Sequence, residues 1–270
     1  MARMRLPARS LIAVLIAGLP LASAKAGDHL WSGDWSLTLG GSIANGPSFY
    51  GARDRKFLFS PIIALGKQGK VERFVSRNDS ASLPLYESDR VRFGVAARLL
   101  SARDDGTSGD LKGLSEVKFG GEAGVFAEAY PADWLRARAE VRHGIRSHHG
   151  TVVDLQVDAF TDITSTVRLS GGPRATYGTS AFGRAYYGVN DEEAAASGLA
   201  PYDPASGWQS VGAGGALTWK ATDALETSAF VEYRHMVGVA ADSSLVRQKG
   251  SDNQLTVGLS ANYRFDFTLD

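Results

Sequence analysis

Apolar and polar residues alternate along most of this chain. In 135–145, Leu135, Ala137, Ala139, Val141 and Ile145 are interleaved with Arg136, Arg138, Glu140 and Arg142. On a helix, at about 100° per residue, the four charged side chains would spread around more than half the circumference, whereas on a strand they share one face. The strand reading holds despite the helix-favouring Ala, Leu, Glu and Arg content. The same alternation runs through 117–129, where Glu122, Phe126 and Glu128 interrupt Ala123, Val125, Ala127 and Ala129. It recurs at 153–159, where Asp154, Gln156 and Asp158 separate Val153, Leu155, Val157 and Ala159, at 167–170, and at 254–265.

Segments of about ten residues separated by turns are the pattern of a transmembrane β-barrel. The spacing predicts about twelve strands, at 34–44, 56–66, 70–76, 89–101, 116–130, 134–147, 150–161, 164–178, 180–190, 208–221, 224–237 and 253–265. The third is short, and without it ten strands remain. A soluble β-sandwich or a lipocalin-like barrel would hide its apolar face instead. The barrel is favoured by aromatic residues near segment ends: Tyr130, Trp134, Tyr177, Trp219, Tyr233 and Phe265, placed as interfacial girdles would be. With even strand parity, 45–55, 77–88, 191–207 and 238–252 become extracellular loops, and 67–69 and 222–223 periplasmic turns. The connection at 102–115 is long for the periplasmic side.

An inward polar face gathers a candidate lumenal charge network: Glu122, Glu128, Arg136, Arg138, Glu140, Arg142, Asp154, Asp158, Arg168, Arg174, Arg184, Glu232 and Arg234. Charges there are stable only when paired or wetted. Paired charges plugging a narrow barrel are favoured over a charge-lined pore, because about twelve strands enclose less space than a 16–18-stranded porin.

Composition narrows the compartment and the chemistry. Arg3, Arg5 and Arg9 precede an apolar stretch from Leu11 to Leu21 and small residues at 22–26, the pattern of a secretory signal peptide over 1–24 with cleavage possible after 26. The barrel then occupies 25–270. The 270 residues carry 29 basic and 29 acidic side chains, so no excess of charge points to nucleic acid. Cysteine is absent, which excludes disulfides and a thiolate nucleophile. The five histidines are His29, His143, His148, His149 and His235. None is placed by parity beside a lumenal serine, and no G-x-S-x-G, H-E-x-x-H or phosphate loop is present. His148 and His149 with Asp154 read as a polar turn before a metal site. The expectation is a non-enzymatic protein without cofactor or metal.

The block 'GGEAGVFAEAYPADWLRARAEVRHGIRSHHGTVVDLQVD' (120–158), with 'LSGGPRATYG' (169–178), 'YYGV' (186–189), a terminal 'YRF' (263–265) and the early 'GPSFYGARDRKFLFSPII' (46–63), resembles the MipA/OmpV family of outer-membrane proteins. The resemblance covers essentially the whole chain after the signal segment. It implies an outer-membrane barrel acting as a scaffold that links a lytic murein transglycosylase to a bifunctional murein synthase, with other members resembling small-solute channels or surface adhesins and antigens. A barrel hydrolase is a more distant alternative. Membrane lipid and the barrel-assembly machinery are the remaining implied partners. Tyr263 and Phe265 are the candidate assembly signal, although the chain continues to Asp270 where such barrels commonly end on an aromatic residue.

Overall fold

The computed structural model describes residues 32–68 and 74–269, so the signal segment expected at 1–24 and His29 lie outside the described residues. The described residues form eleven strands: β1 (Gly33–Pro47), β2 (Arg55–Lys67), β3 (Ala81–Glu87), β4 (Val91–Leu100), β5 (Gly120–Ala132), β6 (Leu135–Ile145), β7 (Thr151–Asp162), β8 (Val167–Gly178), β9 (Gly207–Lys220), β10 (Leu225–Met236) and β11 (Asn253–Leu269). They make one antiparallel sheet in the order β2-β1-β11-β10-β9-β8-β7-β6-β5-β4-β3. The sheet curls until its edge strands β2 and β3 bring Cα atoms within 8 Å of each other, with no ladder between them.

The alternation at 135–145 places Leu135, Ala137, Ala139 and Val141 opposite Ala159, Val157, Leu155 and Val153 on β7, while Arg136 faces Asp158 and Glu140 faces Asp154. One face of the ladder is apolar and exposed, the other charged and buried. Phe59, Ile63, Val95, Val125, Val141, Leu217 and Leu259 all lie exposed on the outer face. Such a surface is stable only against an apolar solvent, and lipid meets that need. Trp134, Trp219, Tyr263 and Phe265 ring one end of the wall, and Tyr177 and Trp208 pack edge to face at 5.7 Å near the other. Among the described residues no helix is long and apolar enough to cross a membrane.

Four features differ from the sequence-based expectation. Among the described residues the count is eleven, against the twelve expected. Segment 180–190 is not a strand but α1 (Ser180–Tyr187), followed by α2 (Asp191–Ser197). Its alternation of small and large residues also satisfies a helical stripe, and Phe182, Gly183, Tyr186 and Tyr187 are its buried set. The strand expected at 70–76 lies partly on residues outside the description, and 74–76 are not strand; β3 falls instead within 77–88, expected as a loop. Pro84 obscured β3, and it is tolerated there because β3 is an edge strand with a bulge between Pro84 and Tyr86. Finally, 102–115 lies at the same end as 48–54, 179–206 and 237–252, as Lys249 Nζ donating to Asp110 O and Arg103 Nη1 donating to Tyr186 O show.

The odd count has a geometric consequence. Ten antiparallel pairings separate β2 from β3 around the sheet, so these two strands run in the same direction. The connection between them must therefore return from one end of the barrel toward the other, and its described part, 74–80, does so inside the lumen.

Candidate functional site

The lumen is built around β4 to β8. Six guanidiniums (Arg92, Arg98, Arg136, Arg138, Arg142, Arg174) meet six carboxylates (Asp79, Glu122, Glu128, Glu140, Asp154, Asp158). The set is electrically neutral. Arg138 donates through Nη1 to Glu128 Oε2 at 2.9 Å and through Nε to Glu140 Oε1 at 2.8 Å. Arg142 donates through Nε to Glu122 Oε2 at 2.8 Å, through Nη2 to Asp154 Oδ2 at 2.6 Å, and also to Glu140. Arg174 reaches Asp158, and Arg92 lies 2.9 Å from Glu128. Arg136 and Arg142 are fully buried, which a guanidinium tolerates only with this density of partners.

Segment 74–80 completes the network. Asp79 takes both Nη atoms of Arg136, at 2.8 and 2.6 Å, and Gln156 Nε2 at 2.5 Å. Ser80 donates its backbone N–H and its hydroxyl to Glu140. Phe74 stacks on Phe160 with centroids 4.7 Å apart, and its carbonyl accepts from Arg136. The segment thus fastens as a strap to β6 and β7 from inside.

One end of the barrel is capped. Val117, Val152, Phe182, Tyr186, Tyr187 and Met236 form one apolar cluster, and Phe49, Leu111, Val189, Leu199 and Leu245 a second. Burial lowers the pKa of Arg103 and raises those of Tyr186 and Tyr187. Glu193 ties α2 to the 101–119 loop: it closes a capping box with Asn190, and its Oε1 accepts from the Ser115 N–H at 2.9 Å. Burial opposes its ionisation, but the hydrogen bonds from Ser115 and Asn190 and the charge of Arg103 outweigh this and hold the carboxyl below its usual range.

His148 reaches under the cap. Its Nε2 lies 3.0 Å from Glu122 Oε1 and its ring packs on Phe182. Position 144 must be glycine for this approach, since a Cβ there would stand 2.3 Å from the His148 ring. His148 is thus part of the lumen rather than of a solvated turn.

The structure brings together Glu122, Glu128, Arg136, Arg138, Glu140, Arg142, Asp154, Asp158 and Arg174. Glu232 and Arg234 form a separate group on β10, with Arg234 donating to Glu232 at 2.5 Å. Arg168 pairs with Asp162 at 2.7 Å near the short-turn end, apart from the network. Arg184 is not lumenal: it lies on α1, exposed, with Nε donating to Asp203 at 2.6 Å, because 180–187 is helix. Tyr130, expected in a girdle, is buried, and its hydroxyl donates to Glu128 at 2.6 Å; on β5 it shares the inward parity of Glu122, Phe126 and Glu128. Tyr263 and Phe265 sit on the outer face of β11 with rings 4.7 Å apart, and β11 continues to Leu269, pairing with Gly33. The principal residue missed was Asp79, within the polar run 'SRNDSAS' that reads as a loop. An odd strand count would have been its only sequence signal.

Opposite the network the lumen is hollow. A cavity of 2260 Å³ runs from the network, where Arg98, Glu140 and Arg174 line it, to the facing wall of Ser36, Thr38, Ser170, Thr218, Ser228 and Ser260. It reaches Thr222 and Asp223 at the short-turn end and ends beneath Tyr186 and Tyr187 of the cap.

An inside-out curled sheet, charged within and apolar without, with long loops at one end and short turns at the other, defines an outer-membrane type of β-barrel. A family model described as MltA-interacting protein MipA matches residues 39–265, and the chain belongs to that family. A search of curated proteins found no match. Among solved structures the chain is similar to a bacterial polysaccharide outer membrane secretin (11% identity over 86% of this chain and 98% of that one, TM-score 0.40). It is also similar to Ail, the attachment invasion locus protein of Yersinia pestis (14%, 87% and 99%, TM-score 0.24), and to OprG from Pseudomonas aeruginosa (9%, 87% and 97%, TM-score 0.28). At these identities and scores none of their activities transfers to this chain.

Proposed function

We propose that the protein is a non-enzymatic scaffold of the outer membrane, binding a lytic murein transglycosylase and a bifunctional murein synthase at its short-turn end. The observation that carries this reading is the state of the lumen. The charges of the β4 to β8 network neutralise one another, the strap crosses the lumen and the cap covers one mouth, so this network serves stability and the scaffolding falls to the surface. On this reading the turns at 133–134, 163–166 and 221–224 face murein, since outer-membrane barrels keep their short turns on the periplasmic side. The family's description as an MltA-interacting protein supports a murein enzyme as the partner. The test is retention of a purified transglycosylase and synthase on the immobilised protein in detergent. Both should be retained, and substitutions in the three turns should release at least one. Retention of neither refutes the scaffold.

The cavity favours a second reading, a small-solute channel opened by movement of the cap. In planar bilayers the scaffold predicts no unitary conductance steps, whereas a channel predicts steps whose ion selectivity changes on charge reversal at Arg138 or Arg142.

A further inference from the structure

The network on β4 to β8 is balanced, but the blind end of the cavity is not. Arg77 of the strap and Arg234 of β10 share one carboxylate, Glu232. Arg234 Nη2 donates to Oε1 at 2.5 Å, and Arg77 Nη2 stands 3.5 Å from Oε2. The nearby Asp154 is already paired with Arg98 and Arg142. Two guanidiniums against one carboxylate leave an excess positive charge inside the barrel.

The donors are also underused. Arg77 makes no hydrogen bond to any described residue, and its guanidinium lies 3.8 Å over the ring of Phe230. Arg234 makes one such bond and stands 5.5 Å over the ring of Tyr50. Both guanidiniums line the cavity. Tyr50, Tyr186 and Tyr187 line the same end, with centroids 6.1 Å apart for Tyr50 and Tyr186 and 6.5 Å for Tyr186 and Tyr187. None of the three hydroxyls bonds a described residue, although Tyr186 and Tyr187 are only 5% and 2% exposed. The Arg77 and Arg234 side chains keep 25% and 29% of their surface open to the cavity, so a ligand can reach them, and the excess positive charge there attracts an anion.

We propose that this end of the lumen binds a phosphate group, with Arg77 and Arg234 neutralising it and the tyrosine hydroxyls supplying further donors. A carboxylate offers two oxygens, too few for two guanidinium forks and three hydroxyls; a tetrahedral phosphate presents oxygens in several directions. Two sources fit. A free phosphate or small phosphate ester enters through the short-turn end. A phospholipid headgroup reaches the site through the wall beyond β3, which begins opposite Ala97 and leaves Leu99 and Leu100 without a third strand. There the cavity is lined by Phe57, Phe59 and Leu99 of the outer faces, a fitting bed for acyl chains.

The experiment uses the full-length mature protein in detergent micelles, with heat-modifiable migration confirming that each variant is folded. Inorganic phosphate is titrated by calorimetry. In parallel, native mass spectrometry follows retention of added phosphatidylglycerol. Glu232→Gln, which removes the competing carboxylate, should bind about tenfold more tightly, and Arg77→Gln should lose about tenfold, the range of one charged hydrogen bond. Tighter binding on substitution is a response that a folding defect does not give. These shifts with inorganic phosphate identify a free phosphate as the ligand source; the same shifts seen only with phosphatidylglycerol identify the lipid. Absence of both probes from the wild type, or equal binding by wild type and both variants, overturns the proposal.

Discussion

Asp79→Ala is the sharpest perturbation of the strap. It removes both hydrogen bonds to Arg136 and the one from Gln156, and leaves a guanidinium of zero exposure with Asp158 at 3.4 Å and Glu128 at 4.0 Å as its remaining acids. Those two carboxylates are already engaged by Arg174, Arg92 and Arg138. Leaving one member of a buried pair uncompensated costs about 3–5 kcal/mol, a population change of roughly 150-fold to 5000-fold. Replacing both members by neutral groups removes most of that penalty, so Asp79→Ala with Arg136→Met should cost at least about 2 kcal/mol less than the sum of the single changes. Reversible urea unfolding in lipid vesicles, followed by tryptophan fluorescence, measures all three variants. A cost below about 1 kcal/mol for Asp79→Ala, or strict additivity with Arg136→Met, would refute a strap anchored by this pair.

By contrast, Arg184→Ala breaks an ion pair whose side chains are 59% and 74% exposed, and the same unfolding assay should show a change under about 1 kcal/mol. Val125→Arg puts a charge on the middle of the outer face and should cost about 2–4 kcal/mol in vesicles, while Ala195→Arg, on exposed α2, should stay within about 0.5 kcal/mol; equal costs would contradict a lipid-facing wall. The depressed pKa of Glu193 makes the cap sensitive to acid. With a folded value below the unfolded one, its contribution is fully present above about pH 4.3 and is lost as pH falls through the folded value. Hydrogen-exchange protection factors at 109–117 and 190–198, taken relative to the intrinsic rate at each pH, should therefore fall on acidification in the wild type, and those of Glu193→Gln should be low already at pH 7. A variant as protected as the wild type at pH 7 would remove Glu193 as the tie.

The wall was legible because period two has few competing explanations where charges recur at every second position. Arg136, Arg138, Glu140 and Arg142 could share a face only on a strand, and their acidic partners on β5 and β7 are in register through the same alternation. Residues 180–187 were misread because small and large residues that alternate can also set Phe182 against Tyr186, one helical turn apart. The strap was hidden for a different reason. Its polar run is suited both to a solvated loop and to a lumen of arginines, and only the parallel direction of β2 and β3 distinguishes the two. Arg77 escaped notice with it, since its partner Glu232 lies 155 positions further along the chain.

The central claim, that each strand of the wall turns one face to lipid and the other to a strap-filled charged lumen, is tested most directly by accessibility along β5. The chain has no cysteine, so single cysteines at 123–128 can each carry one nitroxide in lipid vesicles. Labels at 123, 125 and 127 should collide with dissolved oxygen and be shielded from a water-soluble nickel chelate, while those at 124, 126 and 128 should be immobile and shielded from oxygen. Access of the chelate to 123, 125 and 127, or a loss of the two-residue period, would contradict the account.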